Sequence, residues 1–249
     1  MSLSDERLKT LLAPRSVRFY PQAGSSNDIA RECLREGAPD GAVVIADEQI
    51  SGRGRQGRVW HTPPGVALAV SIILRPRVDW LPRLSMLGAL AVTELAEQVG
   101  AQHVGIKWPN DVQLGGLKVS GVLPEAEWDG SRLLGAVLGI GVNVRTDFTG
   151  TELEATATSL EKTVGRRLDR AEVARDLLAR IDFWYGELSS NTLFEAWKGR
   201  LSTIGQLVTI NNIQGTAEAV DEQGALLVRD MNGVLQRVVA GDLAIGWAN

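Results

Sequence analysis

The chain has 249 residues, of which 44% are hydrophobic and 22% charged, and its formal net charge is -4. That length can bury a sizeable core, while the acidic balance argues against a general nucleic-acid binder, which needs a broad basic excess. Cys33 is the single cysteine, so an internal disulfide and a multi-cysteine metal site are both excluded. The opening Met-Ser-Leu-Ser-Asp-Glu-Arg lacks the basic, apolar, small-residue order of a signal peptide. No apolar run approaches the ~18 residues of a membrane span, and a cytoplasmic protein is the expectation.

In chain order, Asp5 to Leu12 reads as a short amphipathic helix stopped by Pro14, too little chain before the motifs for a helix-turn-helix domain. Val17 to Tyr20 reads as a strand. Gly24-Ser25-Ser26-Asn27-Asp28 supplies N-caps for a helix from Ile29 to Arg35. The same hydroxyls and amide also suit an anion or a polar ring at a helix start. Cys33, near Ile29, Ala30 and Leu34, is expected to be a core thiol. Ala42 to Ala46 is a short apolar strand leading to Asp47-Glu48-Gln49. Val66 to Leu74 is an apolar, β-branched strand, Leu84 to Val99 has helical spacing, and His103 to Lys107 is a further strand.

Two stretches stand out chemically. Ser51 to Trp60 packs three glycines, three arginines and a tryptophan into ten residues. Glycine lets backbone approach a ligand, arginine matches phosphate and carboxylate oxygens, and tryptophan offers a stacking face. Lys107-Trp108-Pro109-Asn110-Asp111 places a cation, an amide and a carboxylate together at a strand end, where sites in sheet proteins gather. Val112 to Leu114, Gly115-Gly116 and Leu117 to Leu123 form a predicted hairpin, with Lys118 and Ser120 sharing one face by simple alternation. Leu133 to Val144 reads as a strand broken by Gly135, Gly139 and Gly141, with Asn143 near its end; such glycines mark a close approach.

Asp169 with Glu172 caps a helix from Ala171 to Leu188, whose Val173, Leu177, Leu178, Ile181 and Trp184 form a core stripe. A second helix spans Thr192 to Leu201. Short strands then follow at Leu207 to Ile210, Thr216 to Val220, Ala225 to Val228 and Val234 to Val239, a small β-barrel or meander from about Leu201.

With only His61 and His103 and no serine–histidine or metal-ligand pattern, acyl hydrolysis by a triad is disfavoured. Cations beside a carboxylate fit phosphate chemistry, usually with Mg²⁺ on the same oxygens. No P-loop is present.

Four motifs in order and spacing resemble those of the biotin protein ligases (biotin–[acetyl-CoA-carboxylase] ligases). They are Gly-Arg-Gly-Arg-x-Gly-Arg-x-Trp at Gly52 to Trp60, Lys-Trp-Pro-Asn-Asp at Lys107 to Asp111, Gly-Gly-x-Lys-x-x-Gly at Gly115 to Gly121, and Gly-x-Gly-x-Asn at Gly139 to Asn143. The likeness covers about Ser25 to Val144 and extends weakly to the C-terminal part. A lipoate ligase shares related fold and chemistry, but the glycine-arginine loop belongs to the biotin side.

The resemblance implies an α+β fold: a mixed, largely antiparallel sheet with helices packed on it, residues 1–200, plus a small SH3-like β-barrel, residues 201–249. It implies activation of biotin by ATP to biotinyl-5′-AMP, then transfer to a lysine of a biotin carboxyl carrier protein of acetyl-CoA carboxylase or a similar carboxylase. DNA and membrane partners are not expected; a homodimer is left open. Carried over by position, Ser25, Ser26, Asn27 and Gln49 would meet the biotin ring, with Gly52, Arg53, Gly121 and Gly139 lining its pocket. Lys118 and Arg55 would be catalytic cations contacting biotin as well as phosphate. Arg58, Trp60, Lys107, Asn110, Asp111 and Asn143 would hold the nucleotide, with Asp111 also near Mg²⁺. Two departures are visible: Ser26 stands where threonine is usual, and Pro124, where a β-branched residue is usual, is expected to end its strand early.

Overall fold

The computed structural model describes residues 3–246; the first two and last three residues of the two expected domains lie outside the described residues. The larger sheet has seven strands in the order β1-β2-β3-β7-β6-β5-β4. Strands β1 (Val17–Ala23) and β2 (Val43–Gln49) run parallel, because a helix, α2 (Ser26–Arg35), carries the chain back between them. The remaining neighbours are antiparallel: β3 (Ala67–Leu74), β4 (Val104–Lys107), β5 (Asp111–Leu114), β6 (Leu117–Asp129) and β7 (Arg132–Asn143). This is the mixed, largely antiparallel α+β sheet expected.

Strand β3 is buried at all eight positions, seven of them apolar and one Ser71, as a strand requires when helices cover both faces of a sheet. Helix α2 packs on one face against β2, β3 and β7. Helices α1 (Asp5–Leu11), α3 (Arg83–Gln98) and α5 (Arg170–Gly186) contribute to the main core on the other. The stripe Val173, Leu177, Leu178, Ile181 and Trp184 is buried there. Cys33 is buried on the inner face of α2, and desolvation pushes its thiol pKa up, with Arg18 opposing. No helix among the described residues is long and apolar enough to cross a membrane.

Several boundaries differ from the sequence expectation. Helix α2 starts at Ser26 with Ser25 as N-cap, so Ser26, Asn27 and Asp28 lie inside its first turn, and Ser25 makes no side-chain cap bond. Strand β2 continues through Asp47, Glu48 and Gln49, because Gln49 still pairs with Ala23. Gly139 and Gly141 do not break β7, which pairs with β6 or β3 through them; beside Gly135 a register shift leaves Leu134 out of the pairing, so the irregularity is a bulge and not a break.

Pro124 does not end β6 either, and the strand runs on to Asp129. Strand β5 stops opposite Gly121, and the Val122 carbonyl beyond it is taken on that outer side by the Asn110 amide. Alternation puts the Pro124 nitrogen on the same outer edge, where a missing N–H breaks no ladder. The short helix α4 (Leu160–Val164) was not foreseen, being too brief for a periodic signal.

After α6 (Asn191–Lys198) the chain forms a five-stranded antiparallel sheet. It comprises β8 (Leu207–Ile210), β9 (Ile213–Val220), β10 (Leu226–Asp230), β11 (Leu235–Val238) and β12 (Ala244–Ile245) in the order β11-β10-β9-β8-β12. It fits the expected SH3-like unit. Backbone bonds from Ile106 N to Arg200 O (2.8 Å) and from Ser202 N to Ile106 O (2.9 Å) tie its approach to β4. Trp108, 2% exposed, donates from its backbone N to Thr203 Oγ1 and from its indole to Gly224 O.

Candidate active site

The end of β2, the first half of β6, the later part of β7 and the start of α2 line one cleft, covered by the glycine-arginine loop and closed at one side by Gly241-Asp242-Leu243, in the connection between β11 and β12. Its floor is glycine for steric reasons. A Cβ on Gly139 would lie 2.2 Å from Asn27 Oδ1, and one on Gly141 would lie 2.3 Å from the Trp60 indole. Neither spacing tolerates any other residue without movement.

One end of the cleft is lined by the uncharged polar side chains of Ser25, Ser26, Asn27 and Gln49, with the Arg53–Glu125 ion pair at its edge. Gln49 Oε1 accepts from Ser26 N at 2.8 Å and lies 3.0 Å from Ser26 Oγ, while Gln49 Nε2 donates to Thr62 Oγ1 at 3.0 Å. Asn27 Nδ2 donates to Leu123 O and to Glu125 Oε2. Ser25 is buried beside them. Such a group of donors and acceptors suits a small planar ring carrying both N–H and C=O.

The other end is cationic. Lys118 Nζ lies 2.7 Å from Asp111 Oδ1 and 5.6 Å from the Trp60 ring centroid. Arg55 Nη1 donates to Asn110 Oδ1 at 3.1 Å. Burial lowers the pKa of the Arg55 guanidinium, against the pull of Asp111. Burial likewise lowers the Lys107 ammonium, with Asp111 and Asp242 opposing and Lys118 and Arg58 adding to the effect. Half-buried cations that repel one another favour an incoming polyanion.

Simple alternation placed Lys118 beside Ser120; the structure corrects this. Val112 pairs with Ser120 but Gln113 with Lys118, leaving Val119 as an extra residue in β6. The bulge resets the alternation. Gly121 therefore shares the Lys118 face, where a Cβ would lie 3.5 Å from Lys118 Nζ. Ser120 is buried, and its hydroxyl donates to Gly141 O at 2.6 Å.

The loop folds over the cleft as a small hairpin. Gly54 N bonds to Arg58 O (2.7 Å) and Trp60 N to Gly52 O (2.9 Å), and Gln49 bridges Thr62. Arg53 reaches Asp28 Oδ1 at 2.5 Å and Glu125 Oε2 at 3.1 Å, and Arg58 pairs with Asp242. Trp60 lies half-buried on the glycine floor, its indole N–H without a partner.

Of the residues singled out in the sequence, Ser25, Ser26, Asn27, Gln49, Arg53, Arg55, Arg58, Trp60, Lys107, Asn110, Asp111, Lys118, Gly121 and Gly139 all line this cleft. Gly52 stands behind the wall, under the Trp60 carbonyl. Asn143 is also outside the lining: it is buried and its amide donates to Thr158 O at 3.2 Å, bracing the end of β7. Three participants were not foreseen. Ser71 is the one polar side chain in Ala67–Leu74, a signal that was there to be read. Glu125 and Asp242 carry no local signal, since their partners are distant in sequence.

The family model described as "Biotin/lipoate A/B protein ligase family" matches residues 21–143, and that of the "Biotin protein ligase C terminal domain" matches residues 203–246. The "Bifunctional ligase/repressor BirA" of Bacillus subtilis (strain 168) is 32% identical over 251 aligned residues, covering 96% of this chain and 77% of that protein. The "Biotin--[acetyl-CoA-carboxylase] ligase" of Paracoccus denitrificans is 34% identical, covering 80% of this chain and 89% of that protein. The structure of "Biotin protein ligase from Aquifex aeolicus in complex with biotin and ATP" superposes with a TM-score of 0.76 at 26% identity, covering 94% of this chain and 99% of that one. Fold and site thus define a ligase of the biotin/lipoate class. Within that class, the chain belongs to the biotin protein ligases.

Proposed function

We propose that the chain activates the biotin carboxylate with ATP and then transfers biotin to a lysine of a biotin carboxyl carrier domain. In the first half, a carboxylate oxygen attacks the α-phosphorus, the bond to the β-phosphate oxygen breaks, and pyrophosphate leaves. In the second, the lysine amine attacks the acyl carbon of biotinyl-5′-AMP, AMP leaves, and the amine loses its proton. The observation that carries this reading is the division of one cleft into an uncharged hydrogen-bonding end at Ser26 and Gln49 and a cationic end at Lys118, Arg55 and Lys107.

Ser25, Ser26, Asn27 and Gln49 hold the ureido ring, and Gly121 and Gly139 leave room for it. Lys118, with Arg55, neutralises charge between carboxylate and α-phosphate, where a fixed cation stabilises the transition state more than the ground state. Lys107 and Arg58 meet the outer phosphates, Trp60 packs over adenine, and the closed loop keeps water from the anhydride. Among the described residues no group of three or more His, Cys, Asp or Glu side chains could hold a metal alone. Mg²⁺ needs no such cage, being held largely by phosphate oxygens and water; Asp111 is the carboxylate that would hold it with nucleotide bound. There it supplies charge neutralisation for the leaving pyrophosphate.

The test is ATP–pyrophosphate exchange with purified protein and a panel of small carboxylic acids. Exchange stimulated by biotin and not by lipoate supports the reading; the reverse preference overturns it.

A further inference from the structure

Ser71 lies fully buried in the middle of β3, among apolar neighbours. A hydroxyl there costs free energy unless it is bonded, and its oxygen sits 2.8 Å from Ser26 Oγ and 2.6 Å from Asn27 Oδ1. The protons in this cluster can be assigned. Asn27 Nδ2 faces Glu125 Oε2 at 2.7 Å and Leu123 O at 3.2 Å, both acceptors only, so the amide orientation is fixed by its surroundings. Asn27 Oδ1 has no proton to give, so Ser71 donates its single proton to it. Ser26 then has one proton and two inward acceptors, Ser71 Oγ and Gln49 Oε1. Towards the cleft the Ser26 oxygen presents lone pairs alone.

We propose that Ser71 is a positioning residue: by committing its proton to Asn27 it makes Ser26 an acceptor that selects a ligand with a ring N–H at that place. This rests on the reading that the uncharged end of the cleft takes the biotin ring. The same chain of bonds continues from Asn27 through Glu125 to Arg53, and from Ser26 through Gln49 to Thr62. Both ends of the glycine-arginine loop are thereby joined to the residues that face the ring. Replacing Ser71 with alanine leaves Asn27 Oδ1 without this donor and takes away one of the two inward acceptors that hold the Ser26 proton.

The experiment is a double-mutant cycle on the full chain with Ser71→Ala, Ser26→Ala and the pair. It is read by calorimetric biotin binding and by biotin-dependent ATP–pyrophosphate exchange. Ser71→Ala is expected to raise the biotin Kd roughly fivefold to tenfold. The KM for ATP and the exchange kcat at saturating biotin should stay at wild-type values. In the Ser26→Ala background the same change should add less than about twofold. Independent, multiplying effects of the two substitutions, a wild-type Kd, or a parallel rise in the KM for ATP would overturn the proposal. A wild-type chain that binds no biotin would instead overturn the reading of the cleft. Should Ser71→Ala not fold, Ser71→Cys, close in volume and a weaker donor, is run through the same cycle. Coupling to Ser26 then supports the role, and independence rejects it.

Discussion

Lys118 and Asp111 form an ion pair at 2.7 Å across the β5–β6 pairing, and both line the cleft. The side-chain exposures, 32% and 25%, leave the ammonium reachable while keeping it partly desolvated. On the proposed reading an incoming phosphate would compete with Asp111 for the same cation, the pair keeping Lys118 beside the cleft until then.

Lys118→Ala should therefore remove transition-state stabilisation and leave ring binding intact. The expected result is a fall in biotin-dependent exchange on the order of 10²–10³-fold, with the biotin Kd from calorimetry changed little. Wild-type exchange rates in this variant would reject the catalytic role.

The lowered pKa of Lys107 gives a signed pH effect. Burial disfavours its charged form, and bound polyphosphate favours it. ATP affinity should be full below the depressed pKa and fall as pH rises through it, starting earlier than for an ordinary lysine at ~10.4. Lys107→Arg, charged throughout, should flatten that alkaline limb in an ATP titration. The ligand-free protein behaves oppositely. Between the depressed and the unfolded value the unfolded chain binds more protons, so the Lys107 contribution makes stability rise with pH there.

Gly141 faces Trp60 at a distance no Cβ can occupy. Gly141→Ala should push the indole off the floor, and overpacking of this kind costs about 1–3 kcal/mol. A rise in the KM for ATP of roughly tenfold or more is expected on that scale, with biotin binding less affected. An unchanged KM would mean Trp60 takes no part in nucleotide binding.

Arg53 and Arg58 are each tied to partners outside the loop, Asp28 with Glu125 and Asp242 respectively. These exposed pairs are individually weak, so the loop is expected to open readily and to be held shut by ligand. Limited trypsin digestion should cut near Arg55 and Arg58 without substrates and be suppressed by biotin with ATP. Equal resistance in both conditions would contradict a closing loop.

Trp108 anchors the small sheet through two hydrogen bonds while filling core space. Trp108→Ala should cost about 3–5 kcal/mol in urea unfolding. Trp108→Phe, which gives up chiefly the bond to Gly224, should cost about 1 kcal/mol.

The chemistry of this protein was legible in its sequence because it resides in residue types at short, fixed spacings. Gly52 to Trp60, Lys107 to Asp111 and the glycines at 139 and 141 need no partner to be recognised, and strong periodicity located β3, α3 and α5 to within a residue or two. Tertiary structure alone decided matters that depend on register and on approach between distant segments. The extra residue at Val119 moved Lys118 onto the face of Gly121, and the free edge of β6 made Pro124 harmless. Packing of α2 against the sheet brought Ser71 to Ser26 and Asn27, and docking of the small sheet brought Asp242 to Arg58. Such contacts join residues dozens to nearly two hundred positions apart, where local propensity carries no information and the folded backbone sets the distance.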